Sequence, residues 1–417
     1  MVLAQRGVNG VFFMEVINWE LNHLPKTWDR HLGLMNVAQV RKAQAFHSTI
    51  PGYEPTPLAH LSNMASYLGL KDLFIKNEAF RFGLNAFKVL GGSYAISRFI
   101  AQKTGREAMT YEDLTSPALK EELGQFTFFT ATDGNHGRGV AWAANRLGQK
   151  AVVYMPKGST QPRLQAILNE GATATIEEGN YDDCVRMAAD ASAKTPNSVV
   201  IQDTAWEGYT EIPAWIMQGY GTMALEADLQ LQLAGVEKPS HIFVQAGVGS
   251  LAGAIQGYFA NRFLGDPPKV IVLEASAADC IYRGAVAGDG EYRVVEGDIQ
   301  TIMAGLACGS PNIVAWDLLK NHSFCFLSCP DWIAARGMRM LGVPLRGDPT
   351  VISGESGAVN MGAIAAIMEY DEYKDLRKAL DLDKSSVILT FSTEGNTDPN
   401  YFRRIVWDGV APVPEYR

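Results

Sequence analysis

Short apolar runs alternate with helical patterns over most of this 417-residue chain, and the alternation limits the folds open to it. The runs lie at residues 126–130, 151–155, 174–176, 199–201, 241–245, 270–273 and 387–391. Strands without polar alternation, separated by helices, are typical of a parallel sheet covered on both faces. We therefore predict an α/β fold of two lobes, each a mostly parallel sheet covered by helices. Ligands in such folds bind in a cleft at the carboxyl ends of the strands.

Charge and hydropathy exclude two classes of partner. The chain carries 45 acidic and 36 basic residues, a net charge of −9, so nucleic acid is not an expected partner. No apolar run in the sequence approaches the roughly 18 residues that span a bilayer. The apolar stretch at 11–14 ends at Glu15 and lacks the cleavage pattern of a signal peptide. We expect a cytoplasmic protein with no membrane partner.

The five cysteines do not form the pattern of a disulfide framework. Cys280 and Cys308 could pair under oxidation, and the sequence leaves that open. His322, Cys325 and Cys329 are close together, but a zinc site needs a fourth ligand and the intervening residues are typical of a buried strand. We predict core packing there and no metal site.

Lys88 is the first candidate for chemistry. It follows a turn-like stretch at 82–85 and lies in an apolar setting before a helical pattern at 93–103. Partial removal from water disfavours the charged form of a lysine, and the neutral amine can then form a Schiff base with a carbonyl carbon. A lone lysine of this kind is more often a surface residue at a helix start, so its role depends on the motifs that follow.

Residues 132–137, Thr-Asp-Gly-Asn-His-Gly, come directly after a predicted strand and open a helix. Glycine lets the backbone approach a ligand closely, and a helix N-terminus offers unpaired N–H groups to an anion. Asn135 adds a side chain that can donate or accept a hydrogen bond. The same residues also suit an ordinary strand–helix turn.

A second glycine-rich loop, residues 245–253, lies between another strand and helix. Its backbone amides and the Ser250 hydroxyl could cradle a phosphate. A dinucleotide site is the natural alternative, but the glycine spacing is off by one and the expected acidic residue about twenty positions later is missing. A tight turn without a ligand is the other alternative. After the last strand, the hydroxyl of Thr393 could meet a heterocycle nitrogen.

In this order, the motifs resemble those of the fold-type II pyridoxal-phosphate enzymes, which include threonine and serine dehydratases, cysteine synthase and tryptophan synthase β. Within that group the chain resembles the diaminopropionate ammonia-lyase family. The matching phrases are RFGLNAFK (81–88), TDGNHGRGVAW (132–142), QDTAWEGY (202–209), IMAGLACG (302–309) and SGESGA (353–358). The resemblance extends from about residue 53 to 407 and leaves residues 1–35 without a counterpart.

The resemblance implies pyridoxal 5'-phosphate as the cofactor. Lys88 would form its Schiff base, Phe87 would pack near the ring, and Asn135 would bond the ring hydroxyl oxygen. Thr393 would face the pyridine nitrogen. The phosphate would be bound by the glycine-rich loop, through Gly247, Val248, Gly249, Ser250 and Leu251. The implied domains are an N-terminal extension (1–35), a large cofactor-binding domain (36–91 and 213–417) and a small domain (92–212), in a homodimer.

The implied reaction is α,β-elimination of D- and L-2,3-diaminopropionate to pyruvate and two ammonia molecules, through released aminoacrylate. Asp133 stands where ordinary dehydratases usually carry serine, and its carboxylate would bind the second ammonium of this substrate. Asp203 is another candidate for an amino group, or else a helix or turn cap. Lys88 can reach one face of the substrate, so Asp133 would be the base on the opposite face, for the D-isomer.

Three other functions remain open. A threonine or serine dehydratase would expel a β-hydroxyl instead of ammonia, and Asp133 argues against it. A silent protein that only holds the cofactor or senses amino acids is disfavoured by the full set Lys88, Asn135, Thr393 and the two aspartates. A nicotinamide oxidoreductase is disfavoured by the imperfect glycine fingerprint.

Overall fold

The computed structural model describes residues 15–132, 134–297 and 299–414. Within these ranges eleven strands form two sheets, and helices cover the sheets. The strands are β1 (Asn18–Leu21), β2 (Leu58–His60), β3 (Asp72–Asn77), β4 (Thr127–Ala131), β5 (Lys150–Met155), β6 (Thr173–Ile176), β7 (Ser198–Val200), β8 (His241–Gln245), β9 (Lys269–Ala275), β10 (Cys325–Cys329) and β11 (Val387–Ser392).

The described residues form sixteen α-helices and five short 3-10 segments. The helices are α1 (Val37–Ser48), α2 (Ser62–Tyr67), α3 (Val89–Lys103), α4 (Tyr111–Thr115), α5 (Pro117–Leu123), α6 (Asn135–Arg146), α7 (Gln161–Asn169), α8 (Tyr181–Ala193), α9 (Glu211–Leu233), α10 (Ser250–Arg262), α11 (Cys280–Ala287), α12 (Ile313–His322), α13 (Asp331–Gly342), α14 (Glu355–Glu369), α15 (Lys374–Leu380) and α16 (Pro399–Val406). The 3-10 segments are Leu32–Met35, Glu78–Gly83, Ser276–Ala278, Ala304–Leu306 and Asp371–Tyr373.

The larger sheet has the strand order β1-β10-β9-β8-β11-β3-β2. Its five central strands are parallel, and the two outermost pairings, β1 with β10 and β2 with β3, are antiparallel. The smaller sheet, β6-β5-β4-β7, is parallel throughout. The predicted α/β fold with mostly parallel sheets is therefore confirmed.

Burial on both faces explains why the central strands lack polar alternation. Every residue of β8 and β11 is buried. Along β8, Ile242 and Val244 face a core shared with the smaller sheet, whereas Phe243 faces a second core beneath α13 and α14. An apolar residue is needed at successive positions because each face of the sheet is covered.

Most predicted elements are confirmed to within a few residues, and the differences have local causes. Helix α6 begins at Asn135, inside the 132–137 motif that was predicted to open a helix, because Gly134 (φ 157°) turns the chain into the helix directly. Strand β3 was not predicted, since Lys76 and Asn77 interrupt its apolar run, yet both side chains are buried. The predicted strand near Cys325 and Cys329 is confirmed as the fully buried β10.

In the described part of the chain, no helix is long and apolar enough to cross a membrane. All five cysteines lie in the described ranges and are free thiols, so the pairing of Cys280 with Cys308, left open by the sequence, is not made in this structure.

Candidate active site

The ends of several strands meet at one cleft, which contains about 680 Å³ of space between atoms, including space open to solvent. Nearly every site residue predicted from the sequence lines the cleft: Phe87, Lys88, Asn135, Asp203, Gly247, Val248, Gly249, Ser250, Leu251 and Thr393. Asp133, the remaining one, lies outside the described residues.

The segment that carries Lys88 is fixed against the residues that follow β11. The Phe87 backbone N–H donates to the Thr393 carbonyl at 3.0 Å, and the Gly395 N–H donates to the Asn85 carbonyl at 3.0 Å. Asn85 has a φ of 59°, a left-handed conformation that asparagine tolerates better than most residues. The predicted turn therefore brings Lys88 next to Thr393, although 305 positions separate them in the sequence.

The Lys88 amine lies 2.5 Å from an Asp203 carboxylate oxygen. Burial alone would raise the pKa of Asp203, but the nearby charges of Lys88 and His136 outweigh it and lower the pKa to about 2. Asp203 is therefore a carboxylate throughout the physiological pH range. Its side chain is 3% exposed, whereas that of Lys88 is 20% exposed and borders the cleft.

Asp203 also ties the lysine to the glycine-rich loop. Its backbone carbonyl accepts hydrogen bonds from the Ser250 hydroxyl and, at 3.3 Å, from the Asn312 amide. The Tyr181 hydroxyl donates to a side-chain oxygen of Asp203 at 3.4 Å. Asp203 therefore contacts the amine through its carboxylate and the loop through its backbone carbonyl.

The glycine-rich loop has the geometry of an anion site. Gly249 has a φ of 93° and directly precedes α10, a helix of 13 residues that begins at Ser250. A Cβ atom at Gly247 would lie 3.0 Å from the Gly305 carbonyl oxygen, which is tighter than an ordinary contact, so glycine favours the close backbone approach there. The first N–H groups of a helix have no partner within it and are available to a phosphate.

A chain of amides orients the Thr393 hydroxyl. The side-chain nitrogen of Asn360 donates to the side-chain oxygen of Gln245 at 2.7 Å, which turns the side-chain nitrogen of Gln245 towards Thr393. That nitrogen then donates to the Thr393 hydroxyl oxygen at 2.8 Å. Because the hydroxyl oxygen already accepts a hydrogen bond, its own proton remains available to donate into the cleft.

The structure adds lining residues that the sequence did not single out, among them Tyr181, Tyr220, Ser356 and Glu394. The hydroxyls of Tyr220 and Ser356 are buried and find no hydrogen-bond partner among the described residues. Buried polar atoms are normally paired, so two such hydroxyls on one cleft are expected where a polar ligand binds. Tyr220 lies within the long helix α9, where no sequence signal marks it; Glu394 could have been suspected because it directly follows Thr393.

Residues 49–393 match the family model of pyridoxal-phosphate dependent enzymes. The chain belongs to this family. The cleft of this pyridoxal-phosphate dependent enzyme fits its cofactor: it offers a primary amine, an anion-binding helix start, a hydroxyl with a proton to donate and unpaired buried hydroxyls.

Within the pyridoxal-phosphate dependent enzymes, the chain is similar over nearly its whole length to diaminopropionate ammonia-lyases. It is 47% identical over 400 residues to the diaminopropionate ammonia-lyase of Salmonella typhimurium, covering 95% of this chain and 99% of the relative. The diaminopropionate ammonia-lyase of Escherichia coli strain K12 is 49% identical over 383 residues, 91% of this chain and 94% of the relative. A crystal structure of the Escherichia coli enzyme in complex with an aminoacrylate-PLP azomethine reaction intermediate superposes with a TM-score of 0.86, at 44% identity, covering 96% of this chain and all of that chain.

Proposed function

We propose that this enzyme is a carbon–nitrogen lyase that removes ammonia from 2,3-diaminopropionate by α,β-elimination. The products would be pyruvate and two ammonia molecules. The observation that carries the proposal is the contact between Lys88 and the ionised Asp203 in the cleft. This contact suits a substrate with a second amino group. The diaminopropionate ammonia-lyases to which the chain is similar over nearly their whole length support the proposal.

Bound pyridoxal phosphate supplies an electron sink for the carbanion at the substrate Cα. The remaining tasks fall to the chain. We assign Lys88 the covalent attachment of the cofactor and the removal of the Cα proton from one face. Asn135 would bond the ring oxygen, the loop Gly247–Leu251 the phosphate, and Thr393 the pyridine nitrogen, with Phe87 packed near the ring.

Donation by the Thr393 hydroxyl would leave the pyridine nitrogen unprotonated. With that nitrogen unprotonated, the bound cofactor would supply a weaker electron sink, and Thr393 would thereby favour expulsion of the β-amino group over return of the proton to Cα. Released aminoacrylate tautomerises and is hydrolysed by water to pyruvate and the second ammonia.

Asp203 would bind the second ammonium of the substrate. Its pKa of about 2 means that it meets the substrate as an anion, and a buried carboxylate attracts an ammonium strongly. A carboxylate offers no such advantage to the neutral hydroxyl of serine or threonine.

Asp133 remains our proposal for the base on the opposite face, used with the D-isomer. Asp133→Asn is expected to lose most D-isomer turnover and to keep much of the L-isomer turnover, measured as pyruvate release. Equal losses on the two isomers would rule out the two-base proposal.

A dehydratase is the second candidate, favoured by one observation: the Escherichia coli relative has been solved in complex with D-serine. The probable D-serine dehydratases that match this chain are only 23 to 25% identical to it. The deciding experiment supplies the purified holoenzyme with each isomer of diaminopropionate, serine and threonine. We expect diaminopropionate to give the highest kcat/KM, with two ammonia molecules per keto acid. A higher kcat/KM for serine or threonine would favour the dehydratase.

The proposed organisation is a cytoplasmic homodimer with a large domain (36–91 and 213–417), a small domain (92–212) and the extension 1–35. Sheet membership supports this division, because all four strands of the smaller sheet fall between residues 92 and 212. The described part of the extension contributes β1 to the larger sheet. Light scattering on the holoenzyme tests the dimer: it should give twice the chain mass of 45.5 kDa.

A further inference from the structure

Glu394 lies beside Asn135 at the edge of the cleft. Its carboxylate is 3% exposed and accepts a hydrogen bond from the Asn135 side-chain amide nitrogen at 2.5 Å. The Thr397 hydroxyl donates to the same oxygen at 3.1 Å. An antiparallel bridge between Ala86 and Glu394 fixes this residue relative to the segment that carries Lys88.

Contact with a carboxylate fixes which end of the Asn135 amide faces the cleft. The nitrogen and oxygen ends of an amide are told apart by their hydrogen-bond partners, and an ionised carboxylate only accepts. The amide nitrogen of Asn135 must therefore face Glu394. That nitrogen carries two hydrogens, so one can bond Glu394 while the other donates to a ligand.

The neighbouring Glu355 is also buried and interacts electrostatically with Glu394. Glu355 is 5% exposed, and burial together with repulsion from Glu394 raises its pKa to about 7. Arg163 acts to lower this pKa and Asp398 acts to raise it. Burial and this repulsion both favour the protonated form of Glu355, which is the form that glutamine mimics.

We propose that Glu394 is a positioning residue that fixes the Asn135 amide as a hydrogen-bond donor to the ring oxygen of bound pyridoxal phosphate. The inference rests on the cofactor-binding role proposed above for Asn135. A donor at this point stabilises the ring oxygen as an anion. The anionic and neutral forms of the ring oxygen absorb at different wavelengths, so the role of Glu394 is visible in the spectrum of the resting holoenzyme.

The test compares Glu394→Gln and Glu394→Met with the wild-type holoenzyme. Absorbance is recorded against pH, and cofactor affinity is measured by titrating pyridoxal phosphate into cofactor-stripped protein. Glu394→Met removes the acceptor, so we expect about tenfold weaker cofactor binding and a smaller long-wavelength band. Glu394→Gln keeps an acceptor oxygen, so its cofactor affinity and long-wavelength band should lie between those of wild type and Glu394→Met. An unchanged spectrum and affinity in Glu394→Met would overturn the proposal.

Glu355→Gln is the matched control, because it removes a carboxyl from the same buried pair but mimics its protonated form. We expect its cofactor affinity within about twofold of wild type and the same spectrum at neutral pH. If Glu355→Gln reproduced the losses of Glu394→Met, the assignment of separate roles would be wrong. Circular dichroism reports whether each variant folds. If Glu394→Met does not fold, the spectrum and cofactor affinity of Glu394→Gln decide the question. Spectrum and affinity need no turnover, so a holoenzyme inactive on diaminopropionate would refute the proposed function and leave this inference standing.

Discussion

Two lysine–carboxylate pairs of nearly equal length lie in different surroundings in this molecule. Lys88 lies 2.5 Å from Asp203, and Lys76 lies 2.6 Å from Glu226. The Lys76 amine is fully enclosed and also donates to the Thr56 carbonyl at 2.6 Å. Lys88 instead borders the cleft. The contact distance therefore does not distinguish a structural pair from a chemical one; access to a ligand does.

Lys76 and Glu226 belong to a closed network. Arg81 donates to both Glu78 and Glu226 through its guanidinium group, and these side chains are at most 3% exposed. Burial by itself would raise the pKa of Glu226, but Arg81 and Lys76 lower it to about 2. The network anchors the start of the segment that ends at Lys88, so it supports the site without touching it.

The largest difference between the two pairs is expected in activity. Lys88→Ala removes the cofactor attachment and the proposed base, and should lower kcat for diaminopropionate by about 10³-fold or more. The free energy of unfolding, measured in urea without added cofactor, should fall less than in Glu226→Gln, because the Asp203 carboxylate keeps His136 and Tyr181 beside it. Normal activity in this variant would remove Lys88 from the mechanism.

Glu226→Gln should have the opposite profile. It leaves Arg81 and Lys76 buried with less compensating charge, and breaking such a network costs about 3 to 5 kcal/mol. Urea unfolding measures this loss, and kcat per folded molecule should stay much closer to wild type than in Lys88→Ala. A stable but inactive Glu226→Gln would contradict the division between the two pairs.

Asp203→Asn sharpens the comparison within the cleft. The substitution keeps the side-chain volume but removes the charge that we propose binds the second ammonium. We expect kcat/KM for diaminopropionate to fall about 10²-fold, with a large share of the loss in KM. Serine, which lacks that ammonium, is the control substrate. If the KM for serine rose as much as the KM for diaminopropionate, Asp203 would not recognise the second amino group.

The smallest expected effect is on acid stability. Both carboxylates have a lowered folded-state pKa of about 2, against ordinary values of 4.5 for Glu226 and 3.8 for Asp203. Their stabilisation is present above the ordinary value and is lost as the pH falls towards about 2. Wild type should therefore lose more unfolding free energy than Glu226→Gln between about pH 5 and pH 3. If the unfolding free energy of the two proteins fell equally with pH over this range, Glu226 would not be held ionised by its partners.

The two regions also show how far the sequence can predict this protein. The parallel strands were predicted because burial on both faces requires local apolar runs. Strand β3 was missed because Lys76 looks like a surface residue until its partner Glu226 on α9 is known. In the cleft, glycine loops and a lysine after a turn leave local signals. Tyr220 leaves none, and the position of Glu394 directly after Thr393 does not reveal its contact with Asn135, which is distant in sequence.

The most direct test of the account locates the lysine that binds the cofactor. Borohydride reduction of the holoenzyme fixes the cofactor permanently on the nitrogen that holds it, and peptide mass analysis identifies the residue. We expect the modification on the peptide that contains Lys88, and an unmodified Lys76 in the enclosed pair. Modification of Lys76, or of any lysine other than Lys88, would contradict it.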